Sequence, residues 1–202
     1  MKEALSCKAL RARGGWREDA ALHRCAFPIG PRNTVSNLAY LLAGIWLLQV
    51  SDDPMRFAMA TFLCLLAVGS AGYHGTKRTF WNNMDWAGMY STMTVLVIHG
   101  LNPVVPGGLM GGFSMGLAGC LLFAFQVKHF DALMGGLFLV AAIPPVVRGG
   151  LWDVLPVVGL FALGYLAWQA DKRRWKIVGR WGHALWHLLT GPALALLFAA
   201  QG

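Results

Sequence analysis

Charge is scarce in this chain, and what there is leans to one sign. Asp and Glu number 9 and Lys and Arg 17 among 202 residues, so only 13% of side chains are charged, where a soluble domain carries roughly 25%. So few charges cannot cover a water-facing surface, which excludes an ordinary soluble globule. Cysteine is scarce too. Cys7, Cys25, Cys64 and Cys120 form no C-x-x-C pair, and two of them fall inside apolar runs. That argues against a disulfide framework and against a thiolate zinc site. The four are read as free thiols and small apolar fillers. The first 33 residues contain no apolar stretch of signal-peptide type. They are expected to form a basic cytoplasmic tail, with Trp16 and Phe27 at headgroup level. No internal repeat or low-complexity tract is evident.

What the chain has in abundance is apolar sequence in long blocks. Hydrophobic residues make up 56% of it. Seven apolar segments can be drawn: Thr34–Val50, Met55–Tyr73, Asn83–Leu101, Gly107–Val127, Phe130–Val147, Leu151–Trp168 and Gly182–Ala200. Each is about 17 to 21 residues long, enough to cross a hydrocarbon core near 30 Å as a helix. Lipid offers no partners to backbone polar groups, so helices are the structure expected. Asp52-Asp53-Pro54, Asn102-Pro103, Pro144-Pro145 and the basic run Lys172–Lys176 punctuate the blocks. In the fourth segment Gly108, Gly112 and Gly116 recur every four residues, which would let a neighbouring helix approach closely. The expectation is all-α: a seven-transmembrane helix bundle over residues 34–202 following the tail of residues 1–33.

The basic residues orient that bundle. Of the 17 Lys and Arg, all but Arg56 and Arg148 fall on the side of the N-terminal tail. The N-terminus is therefore expected in the cytoplasm and the C-terminus outside. The net charge of +8 is explained by orientation and contact with anionic lipid, so no nucleic-acid partner is required. A compact chain of this kind is expected in the inner membrane of a bacterium.

Chemistry concentrates at one end of the bundle. His74 closes the second segment, and His183 and His187 open the seventh. Ser70 precedes His74 by one turn, and Asp85 opens the third segment. With this helix parity, all five meet at one depth from three separate helices. His183 and His187 stand at i, i+4, which presents two imidazoles on one helix face. Three histidines and one open position make a zinc site of the catalytic type. Zinc, a hydroxide, three neutral imidazoles and the Asp85 carboxylate sum to zero charge, as a buried site favours. Asp85 is the candidate general base and Ser70 a candidate donor to a developing oxyanion. His99 lies about 21 Å further along its helix than Asp85. It is read as structural, as are His23 and His129.

These residues also carry a resemblance. Ser70-Ala-Gly-Tyr-His74 reads as S-x3-H, followed by Asp85, and His183-Ala-Leu-Trp-His187 reads as H-x3-H. The pattern resembles the CREST superfamily of seven-helix membrane hydrolases, which contains alkaline ceramidases, progestin and adiponectin receptors and haemolysin III-like proteins. Arg32-Asn33-Thr34-Val35-Ser36-Asn37 is similar to the N-T-x-S-N stretch of alkaline ceramidases. The resemblance implies zinc on His74, His183 and His187, catalytic support from Ser70 and Asp85, and hydrolysis of a lipid amide such as ceramide. Two family features are missing. The acidic, calcium-binding stretch before the first helix has no counterpart beyond Glu18 and Asp19, so calcium does not carry over. Trp86 also stands where ceramidases commonly have Glu after the Asp.

Two other functions are compatible with this composition. A receptor or regulator would use the same metal ligands structurally. A channel or transporter would need polar residues along a whole path, whereas Ser114, Asp131 and Asp153 are nearly all that the fourth to sixth segments offer. The partners expected are a lipid substrate and the membrane. The lipid's identity and the oligomeric state are not legible.

Overall fold

A computed structural model describes residues 28–50, 53–100 and 130–201. The expected fourth span, His23, His129, Cys7, Cys25, Cys120 and most of the N-terminal tail lie outside the described residues. Among the described residues every long element is a helix and none is a strand: α1 (Pro31–Ser36), α2 (Leu38–Val50), α3 (Pro54–Thr76), α4 (Thr79–Gly100), α5 (Phe130–Gly149), α6 (Leu151–Lys172) and α7 (Gly182–Gln201). A single 3-10 turn, Lys176–Val178, sits between α6 and α7.

Three of these, α3, α6 and α7, are long and apolar enough to cross a bilayer. Their surroundings agree. Leu139, Ile143, Val147, Trp152, Leu163 and Leu166 are all more than half exposed, and an apolar surface of that kind is stable against lipid rather than water. α4 is as long as α6 but more polar. Its Asp85, Ser91 and Thr92 face inward and are buried.

Local chemistry sets the ends of α3. Asp53 caps its start, its Oδ1 accepting from Met55 N at 3.1 Å, with Pro54 in the first turn. Lys77 ends it in the left-handed conformation, φ 55°, and its N–H returns to Tyr73 O at 2.7 Å. The segment before α1 covers the same helix end: Ile29 N and Gly30 N donate to Gly75 O and His74 O, both at 3.0 Å. The start of α1 is thereby fixed beside His74.

Pro144-Pro145 does not break its helix as expected. Both residues lie inside α5, which ends at the Gly149-Gly150 pair. A proline nitrogen cannot donate to the carbonyl four residues back. For Pro145 that carbonyl is Ala141 O, and Gln201 Nε2 donates to it instead at 2.8 Å. Arg148 in turn donates to Gln201 O at 2.5 Å, capping the end of α7. A partner from another helix thus restores the satisfaction that lipid could not provide.

The core draws side chains from α2 to α7, with Leu63, Leu66, Leu96, Leu197 and Phe198 essentially inaccessible. The closest approach is between α3 and α4. A Cβ on Gly69 would lie 2.7 Å from Asp85 N, and one on Gly88 would lie 2.7 Å from Leu66 Cα. These two glycines allow backbone-to-backbone contact, and Gly69 is the residue before Ser70. That contact sets Ser70 of α3 beside Asp85 of α4.

Candidate metal centre

His74 at the end of α3 and His183 and His187 at the start of α7 converge. Their three ligand nitrogens lie within 4.8 Å of one another, and all three residues are buried. His74 Nε2 and His183 Nε2 are 2.9 Å apart and share a hydrogen bond. Ring centroids are separated by 4.6 Å for His74 and His183, 4.5 Å for His183 and His187, and 5.2 Å for His74 and His187. An ion about 2.0 to 2.1 Å from each nitrogen needs nitrogens roughly 3.3 Å apart. Ring rotations and shifts of an ångström or so reach that from the observed arrangement. The expected convergence of three histidines is therefore present.

The hydrogen bonds around His187 favour metal ligation. Ser36 Oγ donates to Asn33 O at 3.1 Å, which leaves a lone pair facing His187 Nδ1 at 2.8 Å. The Asn33 carbonyl also accepts from this imidazole. Both groups accept, so the proton belongs on Nδ1 and the Nε2 lone pair points into the cluster. An imidazole held by an outer acceptor is the usual form of a metal-bound histidine. Tyr40 and Thr190 brace the same region, their hydroxyls 2.7 Å apart across α2 and α7.

His74 has a different neighbour. The left-handed turn at Lys77 brings its side chain back into the protein, where it is 1% exposed, with Nζ 3.3 Å from His74 Nδ1. An ammonium only donates, so Nδ1 accepts and the Nε2 proton lies between His74 and His183. An ion at His74 Nε2 requires that proton to move to Nδ1, with the Lys77 ammonium turned aside from it, so that the imidazole stays neutral. Lys77 and Asp171 are buried charges that the sequence-level balance omitted. They are of opposite sign, so the neutral sum for a divalent ion, a hydroxide and Asp85 survives. Asp171 holds the start of α7: its Oδ2 accepts from His183 N at 3.2 Å, a carboxylate at a helix N-terminus.

Ser70 and Asp85 are also where the sequence placed them. Both are buried, and the Ser70 hydroxyl hydrogen-bonds the Asp85 carboxylate. With the three histidines they line a cavity of about 350 Å³. Its wall is aromatic. Trp186 packs against Phe161 and Trp168, centroids 5.5 and 5.6 Å away, and Trp86 and Tyr165 complete the lining. A volume of this size, with few polar groups aimed into it, suits a small molecule or part of a larger amphiphile. His99 stays apart, stacked on Phe198 at 4.1 Å, which fits the structural role expected of it.

Ser36, Lys77 and Asp171 were not singled out as functional from sequence. Ser36 belongs to the N-T-x-S-N stretch, and that resemblance was the one available signal for it. Lys77 and Asp171 lie outside the expected spans, and only the backbone turn at Lys77 and the packing of α6 on α7 carry them inward. No protein-family model and no curated protein matches the chain.

Proposed function

We propose that this chain is a zinc-dependent intramembrane hydrolase that cleaves an amide bond in a lipid. One observation carries the reading: three buried imidazoles and a buried carboxylate lining one cavity that is rich in aromatic side chains. Three neutral nitrogen ligands with a fourth position toward a cavity is the donor set of catalytic zinc. Zinc bound there would supply a Lewis acid and lower the pKa of water to about 7. Asp85 accepts a proton from the attacking water as its oxygen joins the carbonyl carbon. The same group returns that proton to the nitrogen as the C–N bond breaks, giving a carboxylic acid and an amine. Ser70, bonded to Asp85, orients that base; this geometry supports an orienting role better than the oxyanion donor expected from sequence.

The setting we propose is a seven-span bundle with a cytoplasmic N-terminus, in a bacterial inner membrane. The three apolar helices and the one-sided basic residues support it. The lipid enters from the bilayer, and a ceramide-like amide fits the family resemblance. The test is hydrolysis of a panel of long-chain amides by zinc-loaded, detergent-purified protein, with and without chelator. Chelator-sensitive release of fatty acid supports the reading. No release from any amide by fully loaded protein contradicts it.

A further inference from the structure

The cavity is graded from one end to the other. On α6 the residues that line it are Phe161, Tyr165, Trp168 and Lys172, spaced i, i+4, i+7 and i+11 on one helix face. Over about 16 Å that stripe passes from a phenyl ring through a phenol and an indole to an ammonium. At the apolar end Phe161, Leu66 and Met89 also line a small adjoining cavity of about 30 Å³ that leads towards Leu194. At the other end the Lys172 Nζ stands 5.0 Å from the Trp168 ring centroid, a cation–aromatic contact that holds it at the mouth.

The segment that follows Lys172 has one sign. Arg173, Arg174, Lys176 and Arg180 are exposed, and the segment from Lys172 to Trp181 contains no acidic residue. The nearest one, Asp171, is 1% exposed and accepts from the start of α7. The histidines lie close to that segment. A Cβ on Gly182 would be 2.6 Å from Asp171 Cβ, so the first turn of α7 is level with the last turn of α6. Lys172 is therefore within about one to two helical turns of His183 and His187.

A molecule that fits this gradient has an apolar chain, a reacting group and a negative charge, in that order, with the charge only a few bonds from the reacting group. We propose that the substrate is an N-acylated amphiphile with a carboxylate close to its amide nitrogen, and that Lys172 reads that carboxylate. This rests on the hydrolase reading for the amide, though not for the binding. A carboxylate is favoured because Lys172 is the one Lys or Arg among the described residues lining the cavity, which matches a single compact negative charge; a phosphate draws a larger set of converging donors.

The test compares N-palmitoylglycine with N-palmitoylethanolamine, which carries a neutral hydroxymethyl in place of the carboxylate. The full zinc-loaded chain is used, with both turnover and binding measured. Binding is read in Asp85→Asn protein from quenching of the cavity tryptophans by brominated-chain versions of the two lipids. The expected result is at least about tenfold tighter binding and lower KM for the glycine conjugate, as a charge-assisted contact gives. Lys172→Gln should remove that preference by weakening the glycine conjugate alone. Lys172→Arg should keep it, and Lys176→Gln, in the exposed segment, should leave it unchanged. Equal binding of the two lipids by wild type overturns the proposal, and so does an equal loss of both in Lys172→Gln. A Lys172-dependent preference in binding with no turnover of either lipid or of any amide in the panel upholds the headgroup assignment and overturns the hydrolase reading.

Discussion

Ser36 Oγ lies 2.8 Å from His187 Nδ1, across 151 residues of sequence. The contact joins α1 to α7 and sets the tautomer of a candidate metal ligand. Ser36→Ala removes one of the two acceptors while leaving the ligand in place. Outer partners of this kind are worth about 10- to 100-fold in metal affinity. The expected outcome is a zinc Kd weaker by that factor, measured by competition with a chelating dye, with helical content unchanged.

Asp85 is assigned the proton transfer and no part in holding the ion. Asp85→Asn should leave zinc content as in wild type and lower kcat by about 10²- to 10⁴-fold. The two readouts, metal analysis and amide turnover, are taken on the same preparation. Parallel loss of zinc would place Asp85 among the ligands instead.

Lys77 opposes the ion it neighbours. Its Nζ is 3.3 Å from His74 Nδ1, and at an effective dielectric near 20 the repulsion of a divalent ion roughly 6 Å away is on the order of a few kcal/mol. Asp85 offsets part of this, since the two charges interact. Lys77→Met keeps the buried stem and removes the charge. It should bind zinc about tenfold or more tightly, again by chelator competition.

The approach of α3 to α4 depends on a missing side chain. A methyl on Gly69 would meet the backbone of Met84 and Asp85 at 2.7 Å, and backbone cannot move aside as a flexible side chain can. Gly69→Ala should cost about 1–3 kcal/mol, read as a lowered Tm in detergent. It should also reduce turnover by separating Ser70 from Asp85.

The helices were legible because lipid makes the signal coarse. A run of apolar residues of bilayer length is a helix almost regardless of detail, so α3, α6 and α7 emerge within a few residues of their expected ends. The histidine convergence was legible for a related reason: once helix parity is fixed, residues at like ends share a depth. Details of backbone and partner choice were not legible. Pro144 and Pro145 read as a break, yet Gln201 satisfies a carbonyl that Pro145 leaves open, and nothing local marks a glutamine so far along the chain as its partner. Lys77 lies past the end of the second expected span, and the left-handed turn that buries it has no glycine to announce it. Asp171 sits beside four basic residues in sequence and is turned away from them by the packing of α6 on α7.

The central claim is that the three histidines hold an ion. Elemental analysis of detergent-purified wild type beside a His183→Ala/His187→Ala variant tests it most directly. The account predicts close to one zinc per chain in wild type and close to none in the variant. Equal, low metal in both would contradict it and leave His74, His183 and His187 as a packed, hydrogen-bonded cluster.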